Sequence, residues 1–276
     1  MRIGIGLPST VPGAQGAEMR EWAMRAERAG FSTLGTIDRL VYGNHESLIA
    51  LSYAAAVTER IGLLTSILLA PLRTNAALLA KQAGSLHALS GGRLTLGLAP
   101  GGREDDYQLS GVDFSSRGAI FDRQLDEMRQ LWDDGRVGFG RPEVVIGGRA
   151  DAAFRRAAQW DGWMMGGGAP DAFPPEIVKL DAAWAAAGRA GEPRKMSLAY
   201  FALGDDPRGQ ARRYITDYYA FLGDEAALGF ADNIPADRDA ITGVVEAFAA
   251  AGCDELVWFP TASDPAQVDL LAEVVL

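Results

Sequence analysis

The residues best suited to chemistry come at the ends of predicted β-strands. Thr65, Ser66 and Ile67 interrupt an uncharged, apolar run that begins at Ile61. A run of this kind indicates a strand buried on both faces, as in a parallel sheet covered by helices. Small polar residues within it predict either a backbone turn or the floor of a cofactor site.

A charged pair, Asp38 and Arg39, follows another predicted strand, and His45 lies six residues beyond Arg39. Arg39 stays protonated, so it can bind an anion or polarise a carbonyl or imine but cannot act as a base. His45 carries the only imidazole in these strand-end loops, the side-chain type best suited to proton transfer near neutral pH. The alternatives are a strand-end ion pair for Asp38 and Arg39 and a surface position for His45. Asp38, Arg39 and His45 are the predicted catalytic residues.

Glycine clusters follow three further predicted strands: Gly101 with Gly102, Gly147 with Gly148 and Arg149, and Gly166 with Gly167. Because glycine has no Cβ, its backbone N–H group can approach a ligand closely. A glycine turn before a helix can direct such groups at a phosphate. Any one pair is also explained by a tight turn, but the three together predict a cofactor site.

Eight predicted strands alternate with helices and position these loops. The strands cover residues 2–7, 32–37, 61–68, 93–98, 143–146, 162–165, 196–203 and 255–259. Eight strand–helix units in 276 residues predict a (β/α)8 TIM barrel that forms a single domain over residues 1–276. An open doubly wound sheet fits less well, because no length remains for a second domain. Residues 206–251 predict two or three helices, and the acidic residues 104–106 predict a solvated loop with one helix cap among them.

Composition narrows the functional class. A formal charge of −10 argues against nucleic acid as the main partner, because phosphate binding needs a basic face. Two histidines and one cysteine argue against a metal centre or an intrachain disulfide. The sequence has no signal-peptide pattern and no membrane-spanning apolar run, so we expect a cytoplasmic protein with a small-molecule substrate. The hydrolase and NTPase motifs GxSxG, HExxH and GxxxxGK[ST] are absent.

Several motifs in the first 165 residues resemble the luciferase-like flavin and deazaflavin oxidoreductases. The most specific is the run SGGRLTLG at residues 90–97, and the others are supporting. The supporting matches are AERAGF at 26–31, TERIGL at 58–63, AKQA at 80–83, RG at 117–118, LW at 131–132, IGGR at 146–149 and DGW at 161–163. A weaker match returns at residues 251–256.

The resemblance implies a TIM barrel that binds reduced FMN or coenzyme F420, and commonly a homodimer. Thr65, Ser66 and Ile67 would lie under the ring, with a cis peptide bond between Ser66 and Ile67. The ring edge would contact Gly101 and Gly102, and the phosphate end would contact the glycines at 147, 148, 166 and 167 together with Arg149. Many members have Asp-His after the second strand, where this chain has Asp38-Arg39. The chain also lacks the long insertion of the larger FMN monooxygenases.

The combined prediction is an oxidoreductase that transfers a hydride between coenzyme F420 and an electrophilic C=C, C=N or C=O bond. Arg39 would hold or polarise the acceptor and His45 would donate a proton. The first alternative is an FMN-dependent monooxygenase supplied by a separate reductase. The second is a flavin-binding protein without turnover, which the missing histidine would explain.

Overall fold

The computed structural model describes residues 1–276, and its nine β-strands form one parallel sheet. The strands are β1 (Arg2–Gly6), β2 (Thr33–Thr36), β3 (Gly62–Thr65), β4 (Leu68–Leu69), β5 (Leu94–Ala99), β6 (Glu143–Gly147), β7 (Gly162–Met165), β8 (Arg194–Phe201) and β9 (Glu255–Pro260). The sheet closes into a barrel because β3 pairs with β5. The short strand β4 pairs with the later residues of β5, so β3 and β4 together occupy one strand position. The sheet therefore has eight strand positions, and the predicted TIM barrel is confirmed.

Eleven α-helices surround the barrel. They are α1 (Gly16–Ala29), α2 (Ser47–Ala55), α3 (Ala76–Leu89), α4 (Glu104–Ser110), α5 (Arg117–Asp133), α6 (Asp151–Ala157), α7 (Phe173–Ala186), α8 (Pro207–Tyr218), α9 (Asp224–Asp232), α10 (Arg238–Ala250) and α11 (Ala266–Val275). Helix α8 begins with Pro207 after Asp206, whose carboxylate accepts from the Gly209 N–H at 3.1 Å. This cap fixes the start of the helix that later reaches the barrel mouth.

The third strand position bends between β3 and β4. The Thr36 carbonyl accepts hydrogen bonds from Ser66 N at 2.8 Å and from Ser66 Oγ at 3.3 Å. The peptide bond between Ser66 and Ile67 is cis, as predicted. The single strand predicted over residues 61–68 is therefore two short strands around this bend.

Two apolar clusters form the core. The larger, of 49 buried residues, joins the outer strand faces to the helices. The smaller, of 17, contains the alternate strand residues Leu64, Val145, Met164 and Val257. Because side chains alternate across a strand, this second cluster fills the barrel interior. No helix of the chain is both long and apolar enough to cross a bilayer.

A buried carboxylate, Glu255, lies at the start of β9. Its oxygens accept hydrogen bonds from Ser32 Oγ at 2.5 Å, from Thr33 Oγ1 at 2.6 Å and from Arg194. Burial raises the pKa of Glu255, but the charge of Arg194 and these donors outweigh it, so the net pKa lies below the usual range. This polar cluster lies at the amino ends of the strands, away from the barrel mouth.

Candidate functional site

A cavity of about 490 Å³ opens at the carboxyl ends of the strands. Its volume lies within the usual range for small-molecule and cofactor sites. The lining contains five arginines and one aspartate, although the whole chain carries a net charge of −10. Four of these arginines form ion pairs with acidic residues outside the lining and Arg117 forms none, so the donors on the cavity wall suit an anionic ligand in an otherwise acidic protein.

Ten of the thirteen predicted site residues line this cavity. They are Asp38, Arg39, Ser66, Ile67, Gly101, Gly102, Gly147, Gly148, Arg149 and Gly166. The structure does not bring Thr65, Gly167 and His45 to its wall. Thr65 is fully buried and its Oγ1 donates to the Gly97 carbonyl at 2.8 Å. Gly167 lines a smaller neighbouring cavity of about 220 Å³.

His45 lies on the surface. Its ring is exposed, and Nε2 is 3.5 Å from the Ala14 carbonyl oxygen. The loop that carries His45 therefore does not fold over the cavity in this structure. A proton source for chemistry in the cavity has to be sought among other residues.

Asp38 has both carboxylate oxygens occupied. Oδ2 accepts from Arg73 Nη1 at 2.6 Å and from Leu69 N at 2.9 Å. Oδ1 accepts from Arg73 Nη2 at 3.0 Å and from Ser47 Oγ at 3.2 Å. The carboxylate thus ties the loop after β2 to β4 and α2. In this arrangement it holds the cavity wall in place, and its catalytic role remains a prediction.

Arg39 is held by Asp106 and not by its neighbour Asp38. The Arg39 side chain is 3 % exposed, and its Nε donates to Asp106 Oδ2 at 2.7 Å. Asp106 is fully buried, and its Oδ1 accepts from Leu40 N at 2.9 Å and from Val41 N at 2.7 Å. The acidic stretch predicted as a solvated loop is instead the first turn of α4, which places Asp106 behind Arg39.

One nitrogen of this buried guanidinium has no partner. Nη2 of Arg39 donates to Asp105 Oδ2 at 3.3 Å, whereas the buried Nη1 makes no hydrogen bond. A buried cationic donor without an acceptor is costly, because nothing replaces its lost hydration. A ligand oxygen in the adjacent cavity would supply the missing acceptor.

Aromatic residues form the wall next to Arg39. Tyr200, Tyr218 and Tyr219 line the cavity, and the hydroxyls of Tyr200 and Tyr219 are 3.1 Å apart. The Arg39 guanidinium carbon is 5.6 Å from the centroid of the Tyr218 ring. Burial raises the pKa of all three phenols, so each keeps its proton at neutral pH.

Sequence reasoning missed these tyrosines and three further arginines, Arg103, Arg117 and Arg156. Arg103 stacks on Phe221 at 3.8 Å and donates to Asp105 at 2.8 Å. Arg117 makes no ion pair, and its guanidinium lies 3.8 Å from the centroid of the Phe114 ring. The adjacent tyrosines at 218 and 219 could have indicated an aromatic cavity wall, but they lie in a segment for which only helices were predicted.

Two of the predicted glycines keep space open for a ligand. A Cβ built on Gly102 or Gly166 would meet no atom within 4 Å. Gly147 is different, because a Cβ there would lie 2.1 Å from Ile67 Cδ1. Gly102 and Gly166 therefore leave an open cradle in the cavity wall, which a larger side chain at either position would fill. Gly147 instead leaves the space in which the Ile67 side chain packs at the cavity floor.

Comparison with known proteins gives the family. The protein-family model described as luciferase-like monooxygenase matches residues 1–250. The chain belongs to this family. An uncharacterized Mycobacterium tuberculosis protein is 34 % identical over 197 residues, which cover 57 % of this chain and 68 % of that protein. Pyrimidine monooxygenase RutA of Cronobacter sakazakii is 28 % identical over 213 residues, covering 68 % of this chain and 61 % of RutA.

A solved structure supports the luciferase-like fold over the full length. An F420-dependent secondary alcohol dehydrogenase, in complex with an F420–acetone adduct, superposes with a TM-score of 0.84 at 16 % identity. The match covers 100 % of this chain and 98 % of that structure. At this identity the likeness concerns the fold alone.

The cavity of this luciferase-like protein can bind a planar, phosphorylated cofactor and orient a second molecule. The glycine cradle and Ile67 suit a flat ring, and the arginines suit an anion. Arg39 Nη1 can donate to an oxygen or nitrogen of a substrate, and the tyrosines can donate protons. These are the functions that a cofactor-dependent oxidoreductase requires of its protein.

Proposed function

We propose that this protein transfers a hydride between coenzyme F420 and an electrophilic C=C, C=N or C=O bond of a small organic substrate. The observation that carries the proposal is the buried Arg39, whose Nη1 has no partner and which lines the cavity. A fixed cation at this point can bind the electron-rich end of the acceptor and stabilise the charge that develops there.

The cavity fits the cofactor on features of this chain. Gly102 and Gly166 leave open space, Ile67 offers an apolar surface, and Gly148 and Arg149, which line the same cavity, would bind the phosphate group. Reduced F420 bound in this cavity would supply the hydride. The chain would supply orientation and electrostatics, which the acceptor needs in order to meet the hydride at the correct distance.

Arg39 is kept in one orientation by its bond to Asp106, so little reorganisation is needed when the acceptor arrives. The Tyr200, Tyr218 and Tyr219 rings form one wall of the cavity and would limit water near the reacting atoms of a bound substrate. The fold shared with an F420-dependent secondary alcohol dehydrogenase is compatible with this assignment, which itself rests on the residues of the cavity.

The FMN-dependent monooxygenase remains the second candidate, supplied with reduced FMN by a separate reductase. The similarity to pyrimidine monooxygenase RutA over 213 residues favours it. The same glycines and arginines would hold the phosphate of FMN, and the aromatic wall would protect an oxygen-reactive cofactor from water.

Titration of the purified protein with F420 and with FMN, followed by ring fluorescence, separates these candidates. We expect tight F420 binding and oxidation of reduced F420 by at least one acceptor. Tight FMN binding without an F420 response would overturn the proposal in favour of the monooxygenase. Binding of either cofactor without turnover for any acceptor would favour a non-catalytic flavin-binding protein.

Substitution of Arg39 by lysine tests the role of the guanidinium while retaining a cation for Asp106. Because a hydrogen bond to a charged group contributes about 1.5–3 kcal/mol, kcat/KM should fall about tenfold or more. The dissociation constant of the cofactor should stay unchanged. A wild-type kcat/KM in the folded variant would contradict the role given to Arg39.

A further inference from the structure

We propose that Arg39 and Tyr218 together bind the oxygen of a carbonyl acceptor and that Tyr218 donates the proton to it. This inference rests on the proposed function and narrows it, since it selects C=O among the three acceptor bonds. It also gives the proton transfer to a residue that the sequence did not indicate. Four observations support it: the position of Tyr218, the environment of its hydroxyl, the free donor of Arg39 and the other groups in the cavity.

Tyr218 ends α8 and lines the cavity together with Arg39. Its ring packs edge-on against Tyr42 with centroids 5.1 Å apart and stacks on Tyr214 at 5.7 Å. Helix α8 and these two rings therefore fix its orientation. The Arg103 guanidinium donates to the Tyr218 carbonyl at 3.1 Å and holds the helix end against the loop after β5.

The Tyr218 hydroxyl is both protonated and placed beside a cation. Burial raises the pKa of Tyr218, while the charges of Arg39 and Arg103 act in the opposite direction. The phenol therefore carries its proton at neutral pH, and the neighbouring guanidinium would stabilise the phenolate left after transfer. An acceptor oxygen between Arg39 Nη1 and the Tyr218 hydroxyl would receive two hydrogen bonds, as in an oxyanion hole.

Other proton-bearing groups of the cavity are less suited to this step. The lining contains no histidine, lysine, cysteine or glutamate. The arginines do not release protons, and Asp38 is an engaged carboxylate. The hydroxyls of Tyr200 and Tyr219 bond to each other, which engages one of their two protons, and the Arg39 guanidinium lies over neither ring, while Ser66 Oγ donates to a backbone carbonyl. Tyr218 is the cavity-lining tyrosine whose ring lies beside the Arg39 guanidinium.

The step balances as a two-electron reduction. A hydride, with its electron pair, forms a bond to the carbonyl carbon, and the C=O π pair moves to the oxygen. The oxygen takes the proton of the Tyr218 hydroxyl, which yields the alcohol. The hydride would come from a C–H bond of a bound reduced deazaflavin, which would be oxidised by two electrons, and the Tyr218 phenolate would regain a proton from water that enters after product release. A C=C acceptor without a carbonyl would leave Arg39 Nη1 without an atom to bind, and an imine nitrogen, which has a single lone pair, could not accept from both Arg39 and Tyr218 as a carbonyl oxygen can.

Binding of benzoate to the cofactor-free protein tests the oxygen site without turnover. Benzoate presents an oxyanion on an apolar ring, so it can accept from both Arg39 and Tyr218. In calorimetric titrations, Tyr218→Phe should weaken benzoate binding about tenfold, since a charge-assisted hydrogen bond is lost. The control Tyr53→Phe removes a surface hydroxyl that donates to the Gly16 carbonyl and should leave the affinity unchanged.

Turnover with a panel of carbonyl compounds completes the test. In Tyr218→Phe, kcat should fall about 100-fold, with a loss of the solvent deuterium isotope effect and an unchanged cofactor affinity. If the wild type reduces no acceptor of any kind, the proposed function fails. If it reduces carbonyl compounds but Tyr218→Phe retains wild-type kcat and benzoate affinity, this inference alone fails. A loss of kcat in Tyr219→Phe but not in Tyr218→Phe would also overturn it.

Discussion

Replacement of Asp106 by alanine tests how the protein holds Arg39 at the cavity. Asp106 is fully buried and accepts three hydrogen bonds, from Arg39 Nε and from the backbone N–H groups of Leu40 and Val41. Its removal would leave a guanidinium that is 3 % exposed without its main counter-charge. Breaking a buried ion pair from one side costs about 3–5 kcal/mol, so we expect a loss of this size in the free energy of unfolding.

The adjacent residue provides a matched control. Asp105 is 40 % exposed and also bonds to Arg39, at 3.3 Å. Because exposed ion pairs contribute about 0–1 kcal/mol, Asp105→Ala should change stability little. Urea denaturation of both variants measures the difference directly. The double variant Arg39→Met, Asp106→Asn should recover much of the loss, since it leaves no unpaired buried charge and keeps an amide oxygen to accept from Leu40 N and Val41 N. Equal stability of Asp106→Ala and Asp105→Ala would refute this account of the pair.

Three further predictions concern other parts of the molecule. Burial raises the pKa of Glu255, but the charge of Arg194 and the hydrogen-bond donors around the carboxylate together lower it by more, so the pKa is lower in the folded state than in the unfolded state. The Glu255 carboxylate therefore stabilises the fold above its unfolded-state pKa, and this stabilisation is lost as the pH falls through its folded-state pKa. Urea midpoints of Glu255→Gln should therefore be lowered near neutral pH, and the gap from wild type should narrow in acid. Gly166→Val should weaken cofactor binding by about 1–3 kcal/mol by filling the cradle, whereas Gly43→Val, on an open surface loop, should not change it. Light scattering should give twice the 29.4 kDa mass of the chain if the expected homodimer forms, and a monomer mass would contradict it.

The strands and most of the cavity floor could be predicted from local patterns. Buried parallel strands have uncharged runs, and the glycines at strand ends occur next to one another in the sequence. The topology then brings those ends together, which is why Ser66, Gly102 and Gly166 line one cavity. These predictions needed only short-range signals and the rule that strand ends converge.

The partners of the charged residues could not be predicted in the same way. Arg39 bonds to Asp106 across 67 positions, and Asp38 bonds to Arg73 across 35. Each pairing depends on how a short loop or helix packs on the barrel. Helix α4 has only 7 residues, too few to show the hydrophobic periodicity by which a helix is recognised in a sequence. Tyr218 reaches the cavity only because α8 ends there, a placement set by tertiary packing.

The most direct test of the central proposal follows the hydride itself. Reduced F420 carrying deuterium at the transferable position is mixed anaerobically with the protein and a panel of carbonyl compounds, and the products are examined by mass spectrometry. We expect an alcohol with one deuterium on the former carbonyl carbon, and a much lower yield with the Arg39→Lys variant. Absence of deuterium in every product, together with oxygen insertion into a substrate when reduced FMN and O2 are supplied, would contradict it.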